Sequence, residues 1–126
     1  MKIGLVILSS IFILIFNPQI ANSFSDIEAS KIQKVWTSFT NNMLRQDIDG
    51  AMKYIATEKK EKYRMAFTLV KDKLPQVFSD REDLNILRID SAFAEAENTV
   101  QENDRKHSYP VIFRKDKTGE WKIVSF

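Results

Sequence analysis

The sequence predicts a single α+β domain in which three helices precede an antiparallel sheet of about four strands. Residues 26–74 place apolar side chains at the steps of three and four that define one helix face. Residues 84–126 instead contain short segments rich in β-branched and aromatic residues, separated by turn residues. A run of helices followed by a run of strands is typical of the α+β class. The length of 126 residues fits one domain.

The first helix is predicted from about Asp26 to Arg45. Ser25 stands before it and Glu28 three residues later, which is the spacing of a capping box. Apolar residues at helical spacing would then share one face and turn it towards the core. They are Ile32, Val35, Trp36, Phe39 and Met43.

Two shorter helices are predicted before Pro75. Asp47 can cap the second helix, whose apolar residues are Ile48, Ala51, Met52 and Ile55. Thr57 can cap the third, whose apolar residues are Tyr63, Phe67, Val70 and Leu74. Pro75 is expected to stop this third helix or to follow it closely. Residues 76–83 are predicted to form a linker with room for one loose turn around Val77 and Phe78, in which the acid-rich stretch 80–83 would be solvated.

Four strands are predicted after the linker, at residues 84–90, 92–100, 106–115 and 120–126. The last two should form a hairpin, because residues 116–119 end in Gly119, where such a turn needs a positive φ. Alternation along the last strand predicts Trp121, Ile123 and Ser125 on one face and Lys122, Val124 and Phe126 on the other. Pro110 has no backbone N–H, so it should lie at an edge, at a bulge or with its donor position facing away from a neighbour.

The N-terminus has the pattern of a secretory signal peptide. Lys2 is the only charge before Asp26, and residues 3–16 are apolar except for one glycine and two serines. Small residues then precede a cleavage site predicted after Ser23, with Ala21 as the second choice. A retained transmembrane anchor is the alternative, but a spanning helix needs about 20 apolar residues.

We therefore expect residues 1–23 to be removed and residues 24–126 to form the whole domain. The mature protein would be exported to the periplasm or secreted, without stable insertion into a membrane.

Composition argues against several classes of protein. Removing residues 1–23 takes away one lysine and no acid, so the net charge falls from +2 to +1. This is not the basic surface of a nucleic-acid binder. The absence of cysteine excludes a disulfide framework and a lipid-modified N-terminal cysteine. The three glycines are isolated, so no phosphate-binding loop or dinucleotide fingerprint is present and no cofactor is expected.

Four parts of the chain carry a resemblance to a known family. They are Val35–Phe39 in the first helix, Gln46–Ile55 in the second, Lys62 and Tyr63 in the third, and Tyr109–Asp116 with Gly119–Ile123 at the end. Together these segments resemble the NTF2-like superfamily of cone-shaped α+β domains, in particular its small exported bacterial members. The resemblance implies a strongly curved sheet wrapped on helices, a cavity at its wide end and frequent dimerisation. It implies no particular activity, and no functional residue is carried over.

One acid and four aromatic residues are the candidates for a site. Asp90 ends an apolar segment, and burial in a cavity would raise its pKa and let it act as a general base. The alternative is that Asp90 ends the strand and faces water. Trp36, Tyr54, Tyr63 and Phe67 are candidate ligand contacts on the helices, with a place in the core as their alternative.

Metal binding is not predicted. His107 is the only histidine, and at a strand start beside a turn it is more typical of an exposed residue than of an acid–base catalyst. Glu95 and Glu97 would share one face of a strand, where paired carboxylates could bind Ca²⁺ or carry out hydrolysis, but a solvated sheet face is the more typical explanation. A zinc site would need carboxylates for most of its ligands.

Three functions are compatible with the sequence. The first is a non-catalytic binding or accessory domain that holds a small apolar ligand in the helix–sheet cavity or a protein partner on its sheet. The second is a cavity enzyme of the isomerase or lyase type, acting on a small hydrophobic substrate through Asp90. The third is a structural homodimer subunit, which an exposed apolar face around Val111 and Phe113 would favour.

Overall fold

The computed structural model describes residues 18–126, with side chains from Asp26 onward. The predicted signal segment, residues 1–23, lies mostly outside that part. The helices are α1 (Pro18–Leu44), α2 (Ile48–Met52), α3 (Lys60–Leu69) and α4 (Leu74–Ser79). The strands are β1 (Asn85–Ile89), β2 (Phe93–Glu102), β3 (Arg105–Lys115) and β4 (Trp121–Ser125), in the sheet order β1-β2-β3-β4 with all pairs antiparallel. The α+β class and the four-stranded antiparallel sheet are therefore confirmed.

Helix α1 buries the face that its sequence predicts. Ile32, Phe39 and Met43 are fully buried against the rest of the domain. The predicted start at Asp26 is wrong, because the chain is already helical from Pro18 through Ser25. No glycine or proline between these two residues interrupts it.

The short helices follow the predicted order with two corrections. Asp47 caps α2 as expected, because its Oδ1 accepts a hydrogen bond from the Gly50 N–H at 2.9 Å. Thr57 begins a short 3₁₀ turn before α3 and makes no side-chain cap. Pro75 does not stop a helix but lies in the first turn of α4. The first turn leaves its N–H groups without helical partners, so proline fits there, and residues 76–79 of the predicted linker become helical.

The hairpin of β2 and β3 is about twice as long as either outer strand. Its far half, Asn98–Glu102 with Arg105–Tyr109, extends beyond the ends of β1 and β4 and is called here the distal ribbon. The segment that follows α4 pairs with this ribbon through Arg81 and Val100. Helix α4 is thereby held over the inner face of the distal ribbon.

The alternation predicted for β4 breaks at Val124. Between Ile123 and Ser125 the pairing advances two residues on β4 but only one on β3, so Val124 is the extra residue of a β-bulge. One extra residue reverses which face the following side chains take. Phe126 therefore packs into the core, with its ring centroid 4.9 Å from that of Tyr63. The prediction that placed Phe126 opposite Ile123 is wrong for this reason.

The core lies between the helices and the inner face of the sheet. Six aromatic rings pack together there and form what is called here the aromatic cluster. Its members are Trp36, Phe39, Tyr63, Phe67, Phe78 and Phe126. Along residues 18–126, no helix is both long enough and apolar enough to cross a membrane.

Candidate functional site

A cleft of about 650 Å³ lies between α4 and the inner face of the distal ribbon. Its polar lining includes Arg81, Asn98, Glu102 and Tyr109, and its apolar lining includes Val77, Val100, Val111 and Phe126. Strand pairing explains the convergence of the ribbon residues. Asn98 of β2 pairs with Tyr109 of β3 across the hairpin, so both side chains point to the same face. The volume falls in the range of small-molecule sites, which is about 300–1,000 Å³.

Asn98 is a fully buried polar side chain in the wall of this cleft, with 0% of its surface exposed. Its Oδ1 accepts a hydrogen bond from Arg81 Nη1 at 2.8 Å. Its Nδ2 donates to the backbone carbonyl of Glu82, also at 2.8 Å. Both ends of the amide are bonded, which offsets the cost of burying it. The same two bonds fix the end of α4 to the ribbon.

Arg81 presents a half-buried positive charge in the cleft. The guanidinium carbon lies 4.5 Å from the centroid of the Phe78 ring, a cation–π contact. Burial lowers the pKa of Arg81, and the negative charge of Glu102 opposes that shift. The group nevertheless stays protonated, because guanidinium does not titrate in the physiological range. Among the side chains from Asp26 to Phe126, no carboxylate forms an ion pair with it.

The rim of the cleft holds a second polar group. Tyr109 Oη donates a hydrogen bond to Glu102 Oε1 at 2.8 Å, and this bond raises the pKa of the phenol. His107 Nε2 lies 3.7 Å from the same carboxylate oxygen. All three side chains are exposed, so this group faces solvent at the mouth while Arg81 and Asn98 lie deeper.

Asp90 lies outside the cleft. Its exposed carboxylate accepts hydrogen bonds from the backbone N–H groups of Phe93 at 2.8 Å and Ala92 at 3.1 Å, in the turn between β1 and β2. The bond from Phe93 is the main reason why the pKa of Asp90 is lowered, with the bond from Ala92 second. A cavity base requires burial and a raised pKa. The prediction of Asp90 as a base therefore has no geometric support, and the residue stabilises a turn.

The four aromatic candidates do not meet in one pocket. Trp36, Tyr63 and Phe67 belong to the aromatic cluster, where their rings pack on one another and on Phe126. Tyr54 lies elsewhere, in a groove of about 480 Å³ between α1 and β4. Phe126 packs among these core rings and also lines the open cleft beside them.

Val111 and Phe113 do not form the exposed apolar face that would favour a dimer through the sheet. Val111 and Phe113 are 1% and 0% exposed, because they face the helices. The opposite face carries charged pairs such as Arg88 Nε with Glu95 Oε1 at 3.3 Å. Within residues 18–126, no group of three or more histidine, cysteine or acidic side chains is placed to share a metal ion.

Sequence reasoning missed Arg81 and Asn98. Arg81 was placed in a solvated acidic stretch, but its pairing with Val100 and its bond to Asn98 bring it against the distal ribbon. Asn98 could have been recognised from the sequence, because it alternates with Ala96 and Val100 on the inward-facing side of β2. A polar side chain that faces the core from a strand needs a hydrogen-bond partner, which another part of the chain has to supply.

Comparison with known proteins gave no match to a protein-family model, to a curated protein or to a solved structure.

Proposed function

We propose that this chain is an exported, non-catalytic binding domain that holds a small, partly apolar ligand in the cleft between α4 and the distal ribbon. The observation that carries the proposal is the convergence of a buried polar pair, Arg81 and Asn98, with an apolar wall in one concave site. Sites of this composition are the usual places for small-molecule binding. Export rests on the N-terminal sequence pattern, and the NTF2-like assignment rests on the sequence resemblance.

Binding is preferred to catalysis because the predicted base, Asp90, lies in an exposed turn away from the cleft. A ligand in the cleft is also preferred to a partner on the sheet. Apart from the exposed ring of Phe93, the outer sheet face carries mainly polar side chains that pair with one another, including Thr99 Oγ1 with Ser108 Oγ at 3.0 Å. Burying such a surface against a partner would remove water from groups that gain little in return.

Native mass spectrometry of the protein isolated from the cell envelope of its own host tests the proposal. We expect a polypeptide that begins at Phe24, because cleavage is predicted after Ser23, and a non-covalent adduct of small mass. A polypeptide that still begins at Met1 would contradict cleavage of the signal segment and favour the retained anchor. Protein that never carries an adduct, from host cells in several growth conditions, would contradict the binding role.

A matched pair of substitutions locates the adduct. Val77 lines the cleft and is 43% exposed, whereas Val70 is 42% exposed and is not among the cleft residues. Val77→Trp should fill part of the cleft and abolish the adduct, and Val70→Trp should leave it unchanged. Equal effects of the two substitutions would place the ligand somewhere else on the protein.

A further inference from the structure

The guanidinium of Arg81 has donors left over after its contacts within the protein. Nη1 is bonded to Asn98 and Nε makes a long contact of 3.4 Å to the carbonyl of Val77. Nη2 has no hydrogen-bond partner among the described residues. A guanidinium offers five N–H groups in a planar fork that matches a carboxylate. Arg81 is therefore held in place through Nη1 and Nε, while Nη2 remains available.

The two acids near Arg81 do not neutralise it. Glu102 is exposed, and its Oε1 accepts from Tyr109 and lies beside His107 at the rim. Asp80 is exposed at the mouth of the cleft. The positive charge thus lies deeper than either negative charge, where it is screened less by water. An anion that entered the cleft would meet the guanidinium at its inner end.

Apolar side chains also line the cleft that contains Arg81. Val100 and Val111 are 6% and 1% exposed on the ribbon side, Val77 faces them from α4, and the Phe126 ring also lines the cleft. The cleft therefore combines this apolar surface with the half-buried cation of Arg81, and its other charged residues, Lys73, Asp80 and Glu102, are exposed. This arrangement matches a molecule that has a negatively charged group and a hydrocarbon part.

We propose that the cleft selects amphiphilic carboxylates, with the carboxylate on Arg81 and the hydrocarbon part along the valines and Phe126. This inference rests on the proposed binding function and adds the chemical class of the ligand. The same chemistry is shared by short fatty acids and by other organic acids with an apolar chain. Charge-assisted hydrogen bonds to a carboxylate are stronger than hydrogen bonds between neutral groups, and this difference would supply the preference over neutral ligands.

Three probes of equal chain length test the class directly. They are octanoate, octanol and octyltrimethylammonium, titrated by calorimetry into delipidated protein purified from the cell envelope. We expect octanoate to bind at least about tenfold more tightly than octanol, as one charge-assisted hydrogen bond implies. The cation should bind most weakly. Equal binding of octanoate and octanol, or preference for the cation, would overturn the carboxylate proposal while the binding function survives. Failure of all three probes would contradict the binding function and the inference that depends on it.

Charge substitutions provide a second, independent test. Arg81→Gln should remove the preference for octanoate over octanol, whereas Glu102→Gln should leave it unchanged or increase it. The matched control is Arg88→Gln, which removes an arginine from the outer face of the sheet. The opposite pattern, with loss of binding in Glu102→Gln, would show that the site prefers cations. Because Arg81→Gln also weakens the contact with buried Asn98, Arg81→Lys is included, and it should fold and retain a reduced preference for octanoate.

Discussion

Arg81 donates a hydrogen bond to Asn98 across 17 positions of the chain, from Nη1 to Oδ1 at 2.8 Å. The bond connects the residue just after α4 with the middle of β2. It therefore joins two segments of the chain that no local sequence motif connects. Together with the strand pairing of Arg81 with Val100, this bond holds α4 above the distal ribbon.

Replacing Asn98 by alanine should destabilise the domain by about 2–4 kcal/mol, because Arg81 and the Glu82 carbonyl both lose a buried partner. Urea denaturation measures the change. Thr99→Ala is the control, since Thr99 makes its hydrogen bond on the outer face and its loss should change stability by no more than about 0.5 kcal/mol. Equal losses in the two variants would contradict the structural role given to Asn98.

Phe126 should contribute far more to stability than a residue at a strand end normally does. Its ring centroid lies 5.2 Å from that of Phe39 and 5.9 Å from that of Trp36. We expect Phe126→Ala to cost about 2–4 kcal/mol, somewhat below the range for a fully buried ring. Phe93→Ala removes a ring that is 47% exposed on the outer face and should cost clearly less. A Phe126→Ala protein as stable as Phe93→Ala would show that the bulge at Val124 does not turn Phe126 inward.

Asp90 should stabilise the turn between β1 and β2 only when its carboxylate is ionised. Its pKa is lowered in the folded state, so its stabilising effect is complete above the unfolded value of about 3.9 and disappears as the pH falls through the folded value. Asp90→Ala should therefore melt below the wild-type protein at neutral pH, and the gap should close below about pH 3.9. Thermal melts across this range measure the gap.

A control variant and an NMR titration complete the test of Asp90. Asp83→Ala removes another exposed acid, one whose side chain forms no hydrogen bond with the described residues, and should show no such pH-dependent gap. Titration of the Asp90 carboxyl by NMR should give a pKa below its usual value. A raised pKa would restore Asp90 as a candidate base.

Gly119 should be sensitive to substitution for a backbone reason alone. Its φ is +86°, and a Cβ added there would meet no atom within 4 Å. Gly119→Ala should lower the free energy of unfolding by about 1–2 kcal/mol, because an L-residue is strained by that amount in the left-handed conformation. Gly119→Asn should cost less, because asparagine adopts this region more readily. If alanine and asparagine had the same effect, backbone strain would not explain the result.

Local patterns in the sequence predicted most of the fold, because they depend on residues that are neighbours in the chain. The buried face of α1, the cap at Asp47 and the hairpin turn at Gly119 are all of this kind. Pro75 was misread because proline both follows helices and begins them, and only the arrangement of the surrounding helices decides which. Phe126 was misread because a bulge depends on the register between two strands, which alternation within one strand does not reveal.

The cleft was hidden from the sequence for a related reason. Arg81, Asn98 and Tyr109 come from three separate segments, and none of them belongs to a local motif. Their convergence depends on the length of the distal ribbon and on the position of α4. Aromatic residues at helical spacing, by contrast, drew attention to Trp36 and Phe67, whose large apolar surfaces favour packing in the core.

The position of Pro110 has a consequence for how molecules of this protein behave towards one another. It is paired with Glu97 on one side, while its other side lies past the last pair of β4, Ile112 with Ser125. An open strand edge of this kind can recruit a strand from a second molecule and begin aggregation. Proline offers no backbone donor to such a strand, and Lys106 adds a charge further along the same edge. Replacing Pro110 by valine would thus leave the fold intact and make the protein more prone to assemble through β3.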